Sequence, residues 1–280
     1  MSVNYSEINR IRKRYIEKFF GYLLVFILLE TGLFFLLRGS EYFLIIFPVG
    51  FLGLFFLTSV PDAYKNFLKE NIYKPFLEEL GIEYKPERGF DEEIVKNCVL
   101  LPGYDDYESK NYIKGGNFEA AEIKLSEEYY DSDEKRYESR TVFEGVLLIV
   151  YSKKTLTPLL ITKNSFHLSD ILPIFTDKYR QKMDDLEFEK MFDVYAADPI
   201  EARKILTHNV MRELIKLKKE TDFYEMFFEG TLRFVTFKDL KLVDIPSMFT
   251  EMNEERFLLS IFGVMKIFKV ADFLNEKAEA

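Results

Sequence analysis

Two apolar runs that hold almost no charge, Phe19–Leu37 and Tyr42–Val60, constrain this chain of 280 residues more than any other feature. At a rise of 1.5 Å per helical residue each covers about 28 Å, the thickness of a bilayer core. Only Arg38, Gly39, Ser40 and Glu41 separate them, so two helices here must double back as a tight antiparallel hairpin. Overall composition hides this, because a mean hydropathy of −0.10 and a net charge of −9 average two unlike parts.

Charge distribution separates those parts. Arg10, Arg12, Lys13, Arg14 and Lys18 against Glu7 and Glu17 leave residues 1–18 at +3. Residues 19–60 carry −1 and the remainder −11. An acidic body with no basic stripe repels phosphate backbones, which argues against nucleic acid as a partner. A basic segment beside an apolar helix instead meets anionic headgroups. Cations precede the first run, and Lys65, Lys69 and Lys74 follow the second, so the positive-inside rule puts both ends in the cytoplasm. A cleaved signal peptide fits poorly, since the apolar stretch is too long, no small-residue cleavage site follows, and a second run begins at once.

Glu30 is the one ionisable residue within these runs apart from their junction, and a carboxylate there costs on the order of 3 kcal/mol to insert. It reads either as a structural or snorkelling group reaching toward Arg38, or as a membrane contact that joins a partner or a second copy. Pro48, Gly50 and Gly53 allow a kink or the approach of a neighbouring helix.

Residues 61–81 read as a stalk helix with Gly81 as its stop and Pro75 as a kink or a break. Beyond it, 82–280 is long enough for one domain with its own core. A short helix is expected over Asp91–Val99, then strands over Asn111–Lys114, Phe118–Tyr130, Arg136–Tyr151 and Leu156–Thr162, with a hairpin tip at Asp131-Ser132-Asp133-Glu134. The continuous apolar run Val146–Val150 marks a central strand buried on both faces. Residues 165–183 look helical or irregular, and Phe188–Tyr195 reads as a further strand. Asp198, Pro199 and Glu201 form a helix start with a capping box, and Thr207 caps a second helix through about Lys218. Phe223–Phe228 and Thr231–Phe237, joined at Glu229-Gly230, read as a hairpin. A long amphipathic helix over Asn253–Leu274 follows. The fold class is therefore α+β: an N-terminal two-helix transmembrane hairpin, then a cytoplasmic domain with a mostly antiparallel sheet packed by helices.

Chemistry is hard to find in that body. Gly115-Gly116 lacks the rest of a phosphate loop. Asp131, Asp133 and Glu134 lack the glycine and distal glutamate of a calcium loop. Asp184, Asp185, Glu187 and Glu189 form an acidic cluster that reads more simply as a charged face than as an acid/base pair. His167 and His208 sit in no metal or nucleophile motif, and Cys98 reads as a buried structural thiol. No cofactor, metal site or catalytic residue is expected, and the chain is read as no enzyme.

The run Phe188–Leu217 resembles the signature of a bacterial family catalogued as domain of unknown function 3137. Tyr112-Ile113-Lys114-Gly115, Val142-Phe143-Glu144-Gly145, Phe192-Asp193-Val194-Tyr195 leading into Ala202-Arg203-Lys204-Ile205-Leu206-Thr207, and Phe227-Phe228-Glu229-Gly230 recur in the same order. His208 stands where proline is often found. The resemblance implies two N-terminal spans and a cytoplasmic body, and brings no activity or catalytic residue with it.

These readings converge on an inner-membrane protein, two-pass with both termini cytoplasmic, whose domain binds or scaffolds a cytoplasmic or membrane protein. A membrane-anchored small-molecule or lipid sensor is the alternative, with a cryptic enzyme behind it. The expected partners are the bilayer, an unidentified protein and, through the hairpin, a second copy. A binding site is sought first at Tyr195, Asp198 and Arg203, where a strand ends and a helix begins.

Overall fold

The computed structural model describes residues 3–39, 46–132, 136–163 and 177–278. The loop residues Ser40 and Glu41, the turn residues Asp133 and Glu134, His167 and most of the expected irregular segment 165–183 lie outside the described residues. The chain divides into two compact units. Residues 1–79 with 245–260 form the first, and 80–244 with 261–280 form the second.

The first unit is built on two long helices. Helix α1, Tyr5–Leu37, starts at Asn4, whose side chain accepts the Glu7 amide hydrogen at 3.2 Å, and absorbs the basic residues into its first four turns. Helix α2 spans Ile46–Leu68. The two run antiparallel, with Tyr15 against Tyr64 at 5.5 Å between ring centroids. Both are long and apolar enough to cross a membrane. The kink expected at Pro75 takes a specific form. Residues Lys69–Tyr73 make one π-helical turn, with the Lys74 amide donating to the Lys69 carbonyl, before α3 resumes over Lys74–Glu79. Proline cannot donate to the carbonyl four residues back and its ring crowds it, so the helix widens just ahead of it.

Residues 245–260 complete this unit. Their helix α8, Glu254–Ser260, is separate from α9, Phe262–Ala278, so the single long helix expected over Asn253–Leu274 is two. Phe257 sets α8 in place: it stacks on Tyr73 at 5.3 Å and meets Phe76 edge-on at 5.0 Å. The Tyr73 and Ser260 hydroxyls share a hydrogen bond of 2.7 Å.

Among the described residues the second unit is built on a seven-stranded sheet whose strand pairs are all antiparallel. Its strands are β1 (Ile82–Lys85), β2 (Asp106–Gly115), β3 (Phe118–Asp131), β4 (Arg136–Lys163), β5 (Arg180–Gln181), β6 (Phe192–Ala196) and β7 (Glu225–Lys238). Strand β4 is the spine, and its apolar run Val146–Val150 is buried as expected. One edge of β4 carries β3 along its first half and β6 along its second, while β7 covers the other edge. Gly145 permits that pairing, because a Cβ there would lie 1.8 Å from the Phe237 carbonyl oxygen. A short helix α4, Glu92–Lys96, precedes β2.

Three expectations change here. Phe188–Tyr195 is not one strand: α5 covers Leu186–Met191 and β6 begins at Phe192, because Asp185 accepts the Glu187 and Phe188 amide hydrogens and nucleates a helical turn. The two strands separated at Tyr151/Leu156 are one continuous β4 with a register shift between them. The hairpin at Glu229-Gly230 is absent, and β7 runs straight through. Gly230, at φ 55°, makes a bulge opposite the irregular stretch of β4, and Arg233 fills the space. Its fully buried guanidinium donates to the carbonyls of Gly230 (2.9 Å), Leu232 (2.9 Å) and Lys154 (2.6 Å).

Helices α6 (Pro199–Ile205) and α7 (His208–Thr221) begin at the expected caps. The Asp198 carboxylate accepts from the Ile200 and Glu201 amides, and Thr207 accepts from Val210. Helix α7 buries Met211, Leu214, Ile215 and Leu217, each worth about 2 kcal/mol against an exposed reference.

Candidate functional site

The strand-to-helix corner of β6 and α6 holds the three residues singled out from the sequence, and each has a different environment. Tyr195 is buried among Phe143, Leu147, Phe227 and Phe234 in the core. Asp198 is occupied as the cap of α6. Arg203 points from the exposed face of that helix and has no side-chain partner among the described residues. Nor do the neighbouring acids converge on it. Asp193 is buried and paired with Arg180, and Glu201, instead of closing a capping box, accepts from the backbone amide and hydroxyl of Thr157 on β4. The corner therefore offers an exposed cation above a capped helix start, with Tyr195 turned into the core.

The acidic cluster at 184–189 is gathered by α5 and α7 into a tighter constellation. Asp185 lies 2.7 Å from Arg212 Nε and 3.5 Å from His208 Nδ1. Glu187 pairs with Arg212 at 2.8 Å and Lys219 at 2.9 Å. Glu189 accepts the Met183 amide hydrogen at 2.6 Å. The Phe188 amide, then the Glu187 amide, Arg212 and His208, hold the Asp185 carboxyl below its usual range. Lys219 does the same for Glu187, with help from Arg212. Carboxylates fixed in the ionised form by such partners latch α5 to α7, and they make weak proton acceptors at neutral pH. Elsewhere burial pushes the Cys98 thiol up to about 12, so it is not a thiolate at physiological pH. Among the described residues, no three His, Cys, Asp or Glu side chains gather as metal ligands.

The remaining charged residue of interest, Glu30, faces the second helix. Its Oε1 would lie 3.4 Å from a Cβ built at Gly50, and that oxygen has no hydrogen-bond partner among the described residues. One turn away Gly53 leaves room for the Phe26 ring, which a Cβ would approach to 2.2 Å. The two glycines thus serve the packing of α2 on α1. Beside them Tyr22, Val25, Phe26, Leu29, Val49, Leu52 and Phe56 line an apolar groove of about 400 Å³. The snorkelling contact with Arg38 is not formed among the described residues.

Residues 141–275 match the family model described as protein of unknown function (DUF3137). Over these residues the chain belongs to that family. The segment takes in β4 from Thr141 onward, the β6–α6 corner, α7 and β7, so three of the four motif segments of the resemblance fall inside it and Tyr112-Ile113-Lys114-Gly115 falls outside. No curated protein matches the chain. Among solved structures, the chain is similar to the mycobacterial trehalose monomycolate transport factor A, TtfA, at 12% identity and a TM-score of 0.40, over 72% of this chain and 91% of that one.

Proposed function

We propose that this DUF3137 member is a bacterial inner-membrane protein anchored by α1 and α2, with both ends in the cytoplasm, whose sheet unit acts without catalysis as a tethered module that binds or scaffolds another protein. The observation that carries the anchoring is the outer surface of the two helices. No large apolar side chain from Phe19 to Phe56 is buried among the described residues, and Leu36 and Phe51 are each 77% exposed. Exposing so much contiguous apolar surface to water is far beyond what a soluble chain carries, whereas hydrocarbon accepts it. Support for the binding role comes from Arg203, an exposed cation on a rigid, capped corner. Carboxylates held in ion pairs and a protonated, buried thiol weigh against catalysis.

The anchoring is tested by a Ser40→Cys variant in intact cells. An impermeant thiol reagent should label it from outside, with Cys98 buried and silent; labelling only after the inner face is opened would reverse the topology. The binding role predicts a protein that copurifies from native membranes with the full chain and is lost with Arg203→Ala. The apolar groove between α1 and α2 supports the second reading, a lipid sensor. It gains if lipid, rather than protein, copurifies and the Arg203 substitution has no effect.

A further inference from the structure

Phe249 is 54% exposed although it lies in a unit with a well-formed core. It sits at the tip of a tight turn in which the Thr250 amide donates to the Ser247 carbonyl at 2.9 Å. That turn is strapped to α1. The Asn9 side chain donates to the Met252 carbonyl at 2.8 Å and accepts the Met252 amide hydrogen at 2.9 Å, a two-point clamp on the backbone. Arg12 donates to the Met248 carbonyl at 3.3 Å and to Asn9 Oδ1 at 3.2 Å. Met248 and Met252 are buried beneath the strap. The contacts climb the helix in order: Phe257 meets Tyr5, Met252 meets Asn9, Met248 meets Arg12, and Phe249 meets Phe19 and Phe20 edge-on at 5.5 and 6.5 Å. From Tyr5 to Phe19 that is about 21 Å along the axis.

Phe19 is where α1 passes from charged to apolar. The exposed side chains of Lys13, Arg14 and Lys18 lie within the two turns before it, and Lys18 reaches over the Tyr22 ring at 5.6 Å. A half-exposed phenylalanine, on a backbone held by three side-chain hydrogen bonds, is thus delivered to the axial level at which the exposed cations of α1 give way to its apolar run. We propose that the Ser247–Thr250 turn is an interfacial foot that inserts Phe249 at the headgroup boundary of an anionic bilayer, so that a segment distant in sequence docks on the same lipid surface that α1 enters. The proposal rests on the reading that α1 crosses the membrane. Its energetic logic is that an apolar ring enters the interface while Lys13, Arg14 and Lys18 meet anionic headgroups.

The chain has no tryptophan, so single-tryptophan variants of the full-length protein report position cleanly. Phe249→Trp, Phe51→Trp and Leu259→Trp would be reconstituted in phosphatidylcholine/phosphatidylglycerol vesicles containing lipids brominated near the headgroup or near the chain end. Leu259 is exposed on α8, the helix whose Phe257 packs at the Tyr5 end of α1. The Phe249→Trp variant should emit to the blue and lose intensity to shallow bromine more than to deep bromine. Phe51→Trp should respond most to deep bromine, and Leu259→Trp should respond to neither. If Phe51→Trp is quenched and Phe249→Trp is not, the foot is wrong and the spans stand. If Phe51→Trp is not quenched either, both readings fall. Equal quenching of Phe249→Trp and Leu259→Trp would also overturn the foot, since the contact would then be unspecific.

Discussion

At the scale of single residues, surroundings decide which ionisable groups keep their protons, and the buried glutamate on β7 shows it best. Glu225 is 4% exposed and accepts a hydrogen bond from Thr162 at 2.7 Å. Burial raises its pKa; the Thr162 bond and, more weakly, Lys218 oppose the rise. Between the ordinary glutamate value and this raised value the native chain keeps a proton that the unfolded chain has lost. Stability therefore falls as pH rises through that window and levels off above the native value. Glu225→Gln keeps the acceptor for Thr162 and removes the titration. The variant should melt at the same temperature as the parent in acid and higher than the parent at neutral pH, which a thermal melt at several pH values reads directly. A parent with a flat profile across the window would contradict the assignment. Cys98 and Asp185 tell the same story from the other side, a thiol kept protonated and a carboxylate kept ionised by what surrounds them.

Among the elements, β7 is where stability and legibility meet. Arg233 is buried in the bulge that β7 shares with β4, and its guanidinium is the donor for three carbonyls there. Arg233→Leu removes the donors and leaves those carbonyls without them, at a cost of about 3 kcal/mol. Chemical denaturation should show a lower midpoint with an unchanged slope. Arg233→Lys should recover only part, because an ammonium lacks the planar fork that spans three oxygens. An unaffected midpoint in Arg233→Leu would mean the bulge holds without its arginine. Glu229-Gly230 flanked by apolar runs carries the local signal of a hairpin, and nothing nearby in sequence says that β4 will bend in step with it. The same limit explains Phe188–Met191, read as the start of a strand, where the cap at Asp185 nucleates a helical turn instead. Where the signal is local it reads correctly, as with the Asp198 and Thr207 caps and the apolar run of β4. The three residues proposed as a site were legible as a corner, but only the fold could send Tyr195 inward and Arg203 outward.

For the molecule as a whole, the division of the chain is the least local fact of all. Residues 245–260 carry no marker that would assign them to the N-terminal helices, since the Asn9 clamp joins residues 243 positions apart. Their apolar side chains Met248, Met252 and Phe257 are buried within the first unit, while all seven strands and α9 belong to the second. A fragment beginning at Leu80 therefore retains the whole sheet and loses every α1–α3 partner of 245–260. It should fold, with native-like protection of β4 and β7 amides in hydrogen exchange, because their partners are all present. The amides of α8 and of Met252 should exchange orders of magnitude faster than in the full chain, since Tyr5, Asn9, Tyr73 and Phe76 are gone. The three uncovered apolar side chains should also bind a hydrophobic dye. Loss of protection throughout β4 and β7 would show that the sheet depends on the helices for its own stability, and the two units would then be one cooperative structure.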